Sequence, residues 1–364
     1  MTAVMPLRAR FRVRPEDFEV EESLGFEPDG EGEHLWLWIE KRGANTPWVA
    51  GALARWAGVP ASAVSFAGMK DRHAVTRQWF NVHLPKRIAP EDDPVIEGVR
   101  VLRRDWHGRK LKRGTHRGNR FGIVLRGVEG DLVEAERRLA EIATRGVPNA
   151  FGDQRFGRDG SNLEAARRWL ADERPRRLPH DRRGLLLSTA RSHLFNLVLE
   201  ARVQRGDWHR GTAGDCFQLD GSGSWFGPEP DMTDALAERL ARADIHPTGP
   251  LWGAGDPPTS HDARALEDAV AATEPVLCGG LARFDLRQER RALRVLPRAF
   301  EWAWLPDDAA PLDGPQTRQA IGPESTESRA LRLGFELPRG SFATAVIAAF
   351  CDATDASRAG PADA

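Results

Sequence analysis

Residues 64–80 read VSFAGMKDRHAVTRQWF, and the interpretation of the whole chain starts from this stretch. Its first three residues predict a short buried strand, and residues 78–84 predict a second strand with apolar side chains on one face. The turn KDRH between them places one carboxylate, Asp71, among three potential cations, which favour its ionised form. An ionised carboxylate can act as a nucleophile or a base. A surface turn with a local ion pair is an equally good interpretation of this segment taken alone.

The segments around this stretch predict more strands than helices in the first 150 residues. Residues 46–57 predict a helix that is capped by Thr46 and stopped by Gly58, and residues 132–145 predict a second helix that ends at Gly146. Strands are predicted over residues 11–13, 18–21, 34–41 and 121–126. Because strands and helices do not alternate regularly, the sequence predicts an α+β fold with a central mixed or antiparallel sheet.

Helices predominate beyond residue 150. Ser161 and Glu164 have the spacing of a capping box at the start of one helix, and residues 188–204 predict a longer one. The sequence further predicts helices over 233–243 and 260–273, a linker over 305–329, a strand over 331–337, a helix over 341–350 and a disordered tail after residue 352. The length of 364 residues and this change of texture suggest two domains, or one domain with a large insertion.

Signatures of common cofactors, metals and membranes are missing from the sequence. There is no Walker phosphate loop, no GxGxxG, no HExxH and no GxSxG. Three cysteines, Cys216, Cys278 and Cys351, lack metal-site spacing and suit a reducing compartment. The N-terminus has no apolar segment typical of a secretory signal, and no apolar run is long enough to cross a bilayer. These observations predict a cytoplasmic protein that binds no membrane and works without metal or cofactor.

Positive charge is concentrated locally, although the net charge of the chain is −1. The richest segment lies between residues 103 and 120, where cations greatly outnumber one acid, Asp105. Its cations are Arg103, Arg104, Arg109, Lys110, Lys112, Arg113, Arg117 and Arg120. Such a patch with interleaved aromatic residues suits contact with a phosphate backbone, although a solvated loop explains a charge run equally well. A second basic run over residues 283–298 would spread around a helix and predicts no single binding face.

The segment at 67–78, AGMKDRHAVTRQ, closely resembles the signature of the tRNA pseudouridine synthase D (TruD) family. Other segments resemble family motifs in the same order along the chain. They are RPEDFEVE at 14–21, GFEPDGEGEH at 25–34, KLKRG at 110–114, GNRF at 118–121, FGDQRFG at 151–157 and LPRGSFAT at 337–344. The resemblance extends from residue 11 to residue 346, which is nearly the whole chain.

The resemblance implies both an architecture and a substrate. We expect a catalytic pseudouridine synthase domain over residues 1–150 and 296–364, interrupted by an inserted α/β TRUD domain over 151–295. The implied reaction isomerises uridine 13 in the D arm of tRNA, particularly tRNA-Glu, with no cofactor and no obligate protein partner. We expect a monomer or weak dimer.

The resemblance also implies roles for individual residues. Asp71 is the implied catalytic carboxylate, either as nucleophile at C1′ or as the base of a glycal path. Arg12 is expected to support it from the first strand, where the family has Lys, and Lys70 is expected to contact phosphate or support the structure. Implied substrate-binding residues are Phe18, Asn119, Phe121 and Phe342, and implied RNA-binding residues are Arg109, Lys110, Lys112, Arg113, Gln154 and Arg155.

Three alternative functions compete with this one. A family member that modifies another RNA would have the same motifs, and a non-catalytic RNA-binding protein would have lost one of Asp71, Asn119 and Phe121. A glycosidase would use paired carboxylates, which are plentiful in residues 16–22. The glycosidase hypothesis explains neither the basic patch nor the ordered set of motifs.

Overall fold

The computed structural model describes residues 7–308 and 329–358. The strands of this part are β1 (Leu7–Phe11), β2 (Phe18–Ser23), β3 (His34–Arg42), β4 (Val64–Phe66), β5 (Val75–His83), β6 (Val99–His107), β7 (Gly118–Gly130), β8 (Val147–Pro148), β9 (Phe217–Leu219), β10 (Trp225–Phe226), β11 (Ile245–Leu251), β12 (Glu289–Ala292), β13 (Arg294–Val295), β14 (Arg298–Pro306), β15 (Arg329–Pro338) and β16 (Cys351–Asp355). The helices are α1 (Thr46–Trp56), α2 (Leu132–Arg145), α3 (Ser161–Ala171), α4 (His180–Arg205), α5 (Asp234–Ala241), α6 (His261–Thr273), α7 (Pro275–Ala282) and α8 (Ala343–Ala348).

The chain divides into two compact units. Unit 1 is formed by the described residues of Met1–Leu139, Pro297–Gly340 and Phe350–Ala364, and unit 2 by Ala140–Leu296 and Ser341–Ala349. The boundaries expected from the sequence lay at residues 150/151 and 295/296. The assignment of catalysis to one part and an insertion to the other stays a prediction.

Unit 1 is built on a ten-stranded sheet with the order β14-β15-β7-β2-β5-β3-β6. Strand β1 joins it through β7 and pairs with β16, while β4 pairs with β5. The pairs β2–β5 and β1–β16 are parallel, whereas the other pairs are antiparallel. The sheet is therefore mixed, as the sequence predicts.

Strand β3 shows why the centre of this sheet is stable. Its alternating sequence LWLWIEK buries side chains on both faces. Leu37 and Ile39 pack in one hydrophobic cluster with Val49 and Leu53 of α1, and all four are fully buried. Burying one such side chain stabilises the fold by roughly 1.5–3 kcal/mol. Trp36 belongs to a separate cluster that includes Leu24, Trp79 and Leu111.

Unit 2 is arranged around the long helix α4, which packs with α3 and α7 in one hydrophobic cluster. A four-stranded sheet in the order β10-β9-β11-β12 and the short pair β8–β13 complete the unit. Its interior contains charged side chains in ion pairs. The Arg202 guanidinium lies 2.7 Å from the Asp215 carboxylate, and Arg290 lies 2.8 Å from Glu267.

Two predictions about helix starts are wrong. Thr46 is the first residue of α1 rather than its cap, because Asn45 occupies the cap position and the Thr46 side chain is buried. Ser161 likewise follows the capping residue Gly160, and no side chain caps α3. In both cases the residue before the predicted cap has the non-helical backbone of the cap position, so the helix begins one residue earlier than the side-chain pattern predicts.

Several predicted bounds also differ from the structure. The first strand is Leu7–Phe11 instead of 11–13, and α4 begins at His180 instead of 188. The tail after residue 352 continues as β16 and pairs with β1, because tertiary pairing orders a segment of low hydrophobicity. Residues 309–328 of the predicted linker and the last six residues lie outside the described residues. The second basic run lies mostly on β12, β13 and β14 rather than on a helix.

Candidate active site

Asp71 lies in the turn between β4 and β5 and faces a cation from the start of the chain. The Arg12 Nη2 atom is 2.9 Å from Asp71 Oδ2, while Arg12 Nη1 donates to Asp355 Oδ2 at 2.9 Å. The Asp71 side chain is 41% exposed, whereas that of Arg12 is 6% exposed. The cation is thus held in place by the protein, and the carboxylate remains open to a ligand.

The backbone of Arg12 is unusual. Arg12 follows the last residue of β1 and has a φ of 58°, so the expectation that it lies on the strand is wrong. A left-handed conformation costs a non-glycine residue about 1–2 kcal/mol. It directs the guanidinium over the Phe18 ring, with its central carbon 4.1 Å from the ring centroid. Arg12 therefore contacts both the Asp71 carboxylate and the Phe18 ring.

Buried aromatic side chains form a continuous cluster beside Arg12. The ring centroids of Phe18 and Phe121 are 6.3 Å apart, and those of Phe121 and Phe335 are 5.4 Å apart with the rings stacked. Strand register explains this cluster, because paired residues of neighbouring strands share a face of the sheet. One row runs from β3 to β15 through Lys41, Thr76, Val20, Phe121 and Phe335.

Polar groups lie in the next row of the same face. Asn119 pairs in register with Glu22 of β2, and its Oδ1 atom is buried without a hydrogen-bond partner in the described part of the chain. The Lys70 Nζ atom lies 2.7 Å from Glu22 Oε2, and both side chains are almost fully buried. Burial raises the pKa of Glu22, and the Lys70 ammonium partly offsets this effect. This geometry favours the structural role of Lys70 over phosphate contact.

His116 is a further polar group near Lys70. A Cβ atom on Gly68 would lie 3.2 Å from the His116 ring and 3.3 Å from Lys70 Nζ, so both side chains pack closely against the glycine. Burial, followed by the nearby charges of Lys70 and Arg339, lowers the pKa of His116 to about 4. The imidazole is therefore neutral at physiological pH. The sequence pattern did not predict that His116 is buried beside Lys70.

The predicted RNA-binding cations at 109–113 occupy a loop between β6 and β7. Leu111 is fully buried, and its N–H donates to Asn81 Oδ1 at 3.2 Å. On either side of this anchor the four cationic residues are exposed. Lys110 donates to the Ser62 carbonyl at 3.2 Å, and the Arg113 guanidinium lies 4.2 Å from the Phe66 ring centroid. The loop thus displays several cations from a fixed backbone.

The other predicted site residues belong to unit 2. Gln154 is exposed, whereas Arg155 donates to Ser188 Oγ at 3.1 Å, and burial lowers its pKa. The Phe342 ring lies 6.1 Å from that of Phe151. Phe342 occupies the position before the first residue of α8, and its side chain makes no capping hydrogen bond.

Most of the second basic run has structural roles in unit 2. Arg290 donates to both oxygens of Glu267 and to the Thr248 carbonyl. Arg294 donates to the ring of His246 and to two backbone carbonyls. These side chains are buried, so they cannot form an exposed phosphate-binding surface.

Two residues beside Asp71 were not predicted from the sequence. Asp355 holds the second arm of Arg12 but lies in the segment predicted to be disordered. Lys41 is fully buried, and its ammonium donates to the backbone carbonyl of Asp71. The sequence showed only that Lys41 ends a strand with apolar side chains on both faces. Lysine is rarely buried, so this position did not predict a buried ammonium.

Metal sites and membrane spans are absent from the described residues. Within 7–308 and 329–358, no group of three or more His, Cys, Asp or Glu side chains could hold a metal ion. The helices of the same ranges are either too short or too polar to span a bilayer.

Comparison with known proteins agrees with the resemblance seen in the motifs. The family model described as tRNA pseudouridine synthase D (TruD) matches residues 1–175 and 171–350. A tRNA pseudouridine synthase D from Xanthomonas axonopodis pv. citri is 48% identical over 97% of this chain and 94% of its own. The Methylococcus capsulatus protein of the same name is 45% identical over 93% of this chain and 90% of its own.

Structural comparison supports the predicted fold class. The crystal structure assigned to tRNA pseudouridine synthase D from Methanosarcina mazei superposes with a TM-score of 0.67, covering 96% of this chain and 94% of that one at 22% identity. This similarity confirms the α+β pseudouridine synthase fold. From the family model and relatives of 45–48% identity, the chain belongs to the tRNA pseudouridine synthase D (TruD) family.

Proposed function

We propose that the protein isomerises uridine to pseudouridine in tRNA and that Asp71 supplies the catalytic carboxylate. The observation that carries this proposal is the 2.9 Å pair between the accessible Asp71 carboxylate and the buried Arg12 guanidinium. Membership of the TruD family and the names of its relatives support the reaction and the substrate class.

The reaction breaks the N1–C1′ bond of uridine and forms a C5–C1′ bond, and it consumes no other reactant. Asp71 can begin it either by attacking C1′ or by removing a ribose proton, and both paths require the ionised carboxylate. Arg12 places a permanent positive charge 2.9 Å from one oxygen of the carboxylate and so helps to fix its orientation. We propose that the buried Asn119 Oδ1 atom, which has no hydrogen-bond partner among the described residues, accepts the N3–H of uracil.

The uridine must leave its stack before Asp71 can reach it, which costs a few kcal/mol. Stacking of the base on an aromatic ring returns about 1–3 kcal/mol. We propose Phe121 and Phe18, whose buried rings lie next to Arg12, as the residues that the base contacts. The cations at 109–113 are proposed to contact the phosphates of the RNA, and such contacts do not depend on base sequence. We propose uridine 13 in the D arm of tRNA-Glu as the target, modified in the cytoplasm.

The proposed division of labour assigns catalysis to unit 1. Unit 1 contains Asp71, Arg12, Phe18, Asn119 and Phe121 within one sheet and its connecting turns. Unit 2 is proposed to bind the RNA substrate through Gln154, Arg155 and Phe342. The glycosidase alternative is weak because it explains neither the exposed cations at 109–113 nor the membership of the TruD family.

The test is carbodiimide mapping of pseudouridine in unmodified tRNA-Glu and in pooled tRNA, with EDTA present. We expect the wild type to create a mark at position 13. Asp71→Asn should reduce its rate by roughly 10³-fold or more, the scale seen when a catalytic nucleophile is removed. Asp92→Asn, which alters an exposed carboxylate away from Arg12, is the matched control and should keep the activity.

The outcomes separate the alternatives. A mark on pooled tRNA but not on tRNA-Glu would contradict the proposed target and retain the reaction. Tight tRNA binding without any mark would overturn the enzymatic proposal in favour of a non-catalytic RNA-binding protein. A mark made equally by Asp71→Asn would refute the role of Asp71.

A further inference from the structure

Lys41 is a buried lysine whose ammonium is used to hold the backbone of the Asp71 turn. Its side chain is 0% exposed at the end of β3. The Nζ atom donates to the carbonyl oxygen of Asp71 at 2.9 Å and to that of Ala44 at 2.8 Å. In the described part of the chain Lys41 has no ion pair, so its charge is satisfied by backbone carbonyls alone.

Two more buried side chains hold the same turn. Thr46 Oγ1 accepts the N–H of Lys70 at 3.1 Å and lies 3.0 Å from Gln78 Oε1. The Gln78 amide donates to the carbonyl of Gly68 at 3.1 Å. Lys41, Thr46 and Gln78, here called the turn support, are all fully buried and bind the backbone at residues 68, 70 and 71.

Burying the Lys41 ammonium costs folding free energy, so a role in holding the turn explains its presence better than chance does. Burying an ammonium without a carboxylate partner is strongly unfavourable. Burial lowers the pKa of Lys41 to about 8, the Asp71 charge opposes this shift, and the Lys70 charge adds to it. An apolar residue would fill the same space, but it would leave the Asp71 carbonyl without a donor.

The carboxylate of Asp71 extends from this held backbone to Arg12. Its outer side is open, since the side chain is 41% exposed while its inner oxygen faces the Arg12 guanidinium. The orientation of the carboxylate therefore depends on the peptide that carries it. A displacement of about 1 Å at a reacting group can reduce a rate by 10²-fold.

We infer that Lys41 is a positioning residue for catalysis, which fixes the Asp71 peptide so that the carboxylate stays aligned with Arg12 and the target ribose. The inference rests on the proposed function. It does not require Lys41 to touch the substrate, because the side chain is enclosed by protein.

The test replaces Lys41 by Met, which keeps the length of the side chain and removes its donors. Single-turnover rates are measured on tRNA-Glu with saturating enzyme, together with the Kd for the same tRNA. We expect the rate of Lys41→Met to fall about 10- to 100-fold, while the Kd stays within about twofold because the buried Lys41 side chain does not reach the RNA. Lys41→Arg, which keeps donors and charge, should recover part of the rate.

Two controls separate positioning from loss of stability. Ile39→Ala lies two residues away on β3 and removes a fully buried side chain, so it destabilises the same element. Its rate per folded molecule should equal that of the wild type. Lys86→Met changes an exposed lysine and should alter neither the rate nor the Kd.

An unchanged rate for Lys41→Met, or an equal loss for Ile39→Ala, would overturn the inference. If Lys41→Met does not fold, Lys41→Gln, which keeps a shorter donor, is judged by the same criterion. Failure of the proposed function is recognised separately, because the wild type itself would then leave tRNA-Glu unmarked.

Discussion

At the residue scale, Arg12 combines a strained backbone with a buried charged side chain. Its left-handed backbone costs about 1–2 kcal/mol, and its side chain is buried between two carboxylates. The guanidinium fork can reach Asp71 and Asp355 at once, which a lysine ammonium does less well because it is a single point charge. Arg12 therefore carries a permanent positive charge and holds two carboxylates at once.

His116 gives a prediction about stability and pH. Its pKa is lowered from 6.5 to about 4 in the folded protein, so the unfolded chain binds a proton over this range that the folded chain does not. Stability should therefore fall as the pH drops from about 6.5 to about 4. His116→Gln should flatten this part of the profile. The measurement is the free energy of unfolding by urea at several pH values.

The control is His180→Gln, which changes a side chain that is 99% exposed and solvated in both states. It should leave the slope of the wild type unchanged. Parallel profiles for wild type and His116→Gln would show that the burial of this imidazole contributes nothing to the acid sensitivity.

At the element scale, strand register assembles the site from segments far apart in sequence. Strand β2 lies between β5 and β7, so the Phe18 region is next to both the Asp71 turn and Phe121. A slip of one residue in β7 would move Phe121 and Asn119 to the opposite face of the sheet. The full pairing of β7 with β15 over eight residues resists such a slip.

The loop at 109–113 gives a prediction about RNA affinity. The triple variant Lys110→Met, Lys112→Met and Arg113→Met should bind tRNA more weakly. It should also reduce the slope of log K against log salt by roughly 0.7–0.9 for each phosphate that the loop no longer neutralises. Filter binding of unmodified tRNA across a salt series measures both quantities.

The matched triple variant changes Arg55, Lys86 and Arg137 to Met, which removes the same charge from exposed positions outside the loop. Its salt slope should remain that of the wild type. If both triple variants lower the slope equally, the loop makes no special contribution and the effect is one of net charge.

At the scale of the whole molecule, both units combine hydrophobic clusters with buried ion pairs. The buried pairs of unit 1 include Lys70 with Glu22 and Arg126 with Asp17. In unit 2, the pair of Arg290 with Glu267 buries one arginine of the second basic run. Arginine counts alone therefore overstate the surface available for phosphate.

The pair of Arg290 and Glu267 gives a prediction for unit 2. Their side chains are 0% and 2% exposed, with two hydrogen bonds of 3.0 and 2.8 Å between them. Glu267→Gln should destabilise the protein by about 3–5 kcal/mol, because it leaves the Arg290 charge buried and uncompensated. Denaturant unfolding measures the loss. The double variant Glu267→Gln with Arg290→Met should recover much of it, and no recovery would argue against an unpaired charge as the cause.

Much of the fold could be predicted because local patterns and tertiary structure agree. The alternation in β3 and the turn signals around α1 correspond to features of the structure. Two of the predictions that failed concern segments whose state depends on a distant partner. Strand β16 has weak hydrophobicity and forms only by pairing with β1, and the arginines of 290–294 become buried only because acceptors from other elements surround them.

The sequence by itself determined the family, the fold class and the residues proposed for chemistry, because those depend on motifs and on the periodicity of apolar side chains. The tertiary structure alone decided how they meet. It brought Arg12 to Asp71 across 59 residues of sequence, supplied Asp355 as a second partner and placed buried Lys41 behind the Asp71 peptide. The physical reason is that burial and electrostatic pairing depend on neighbours in space, which local sequence patterns do not specify.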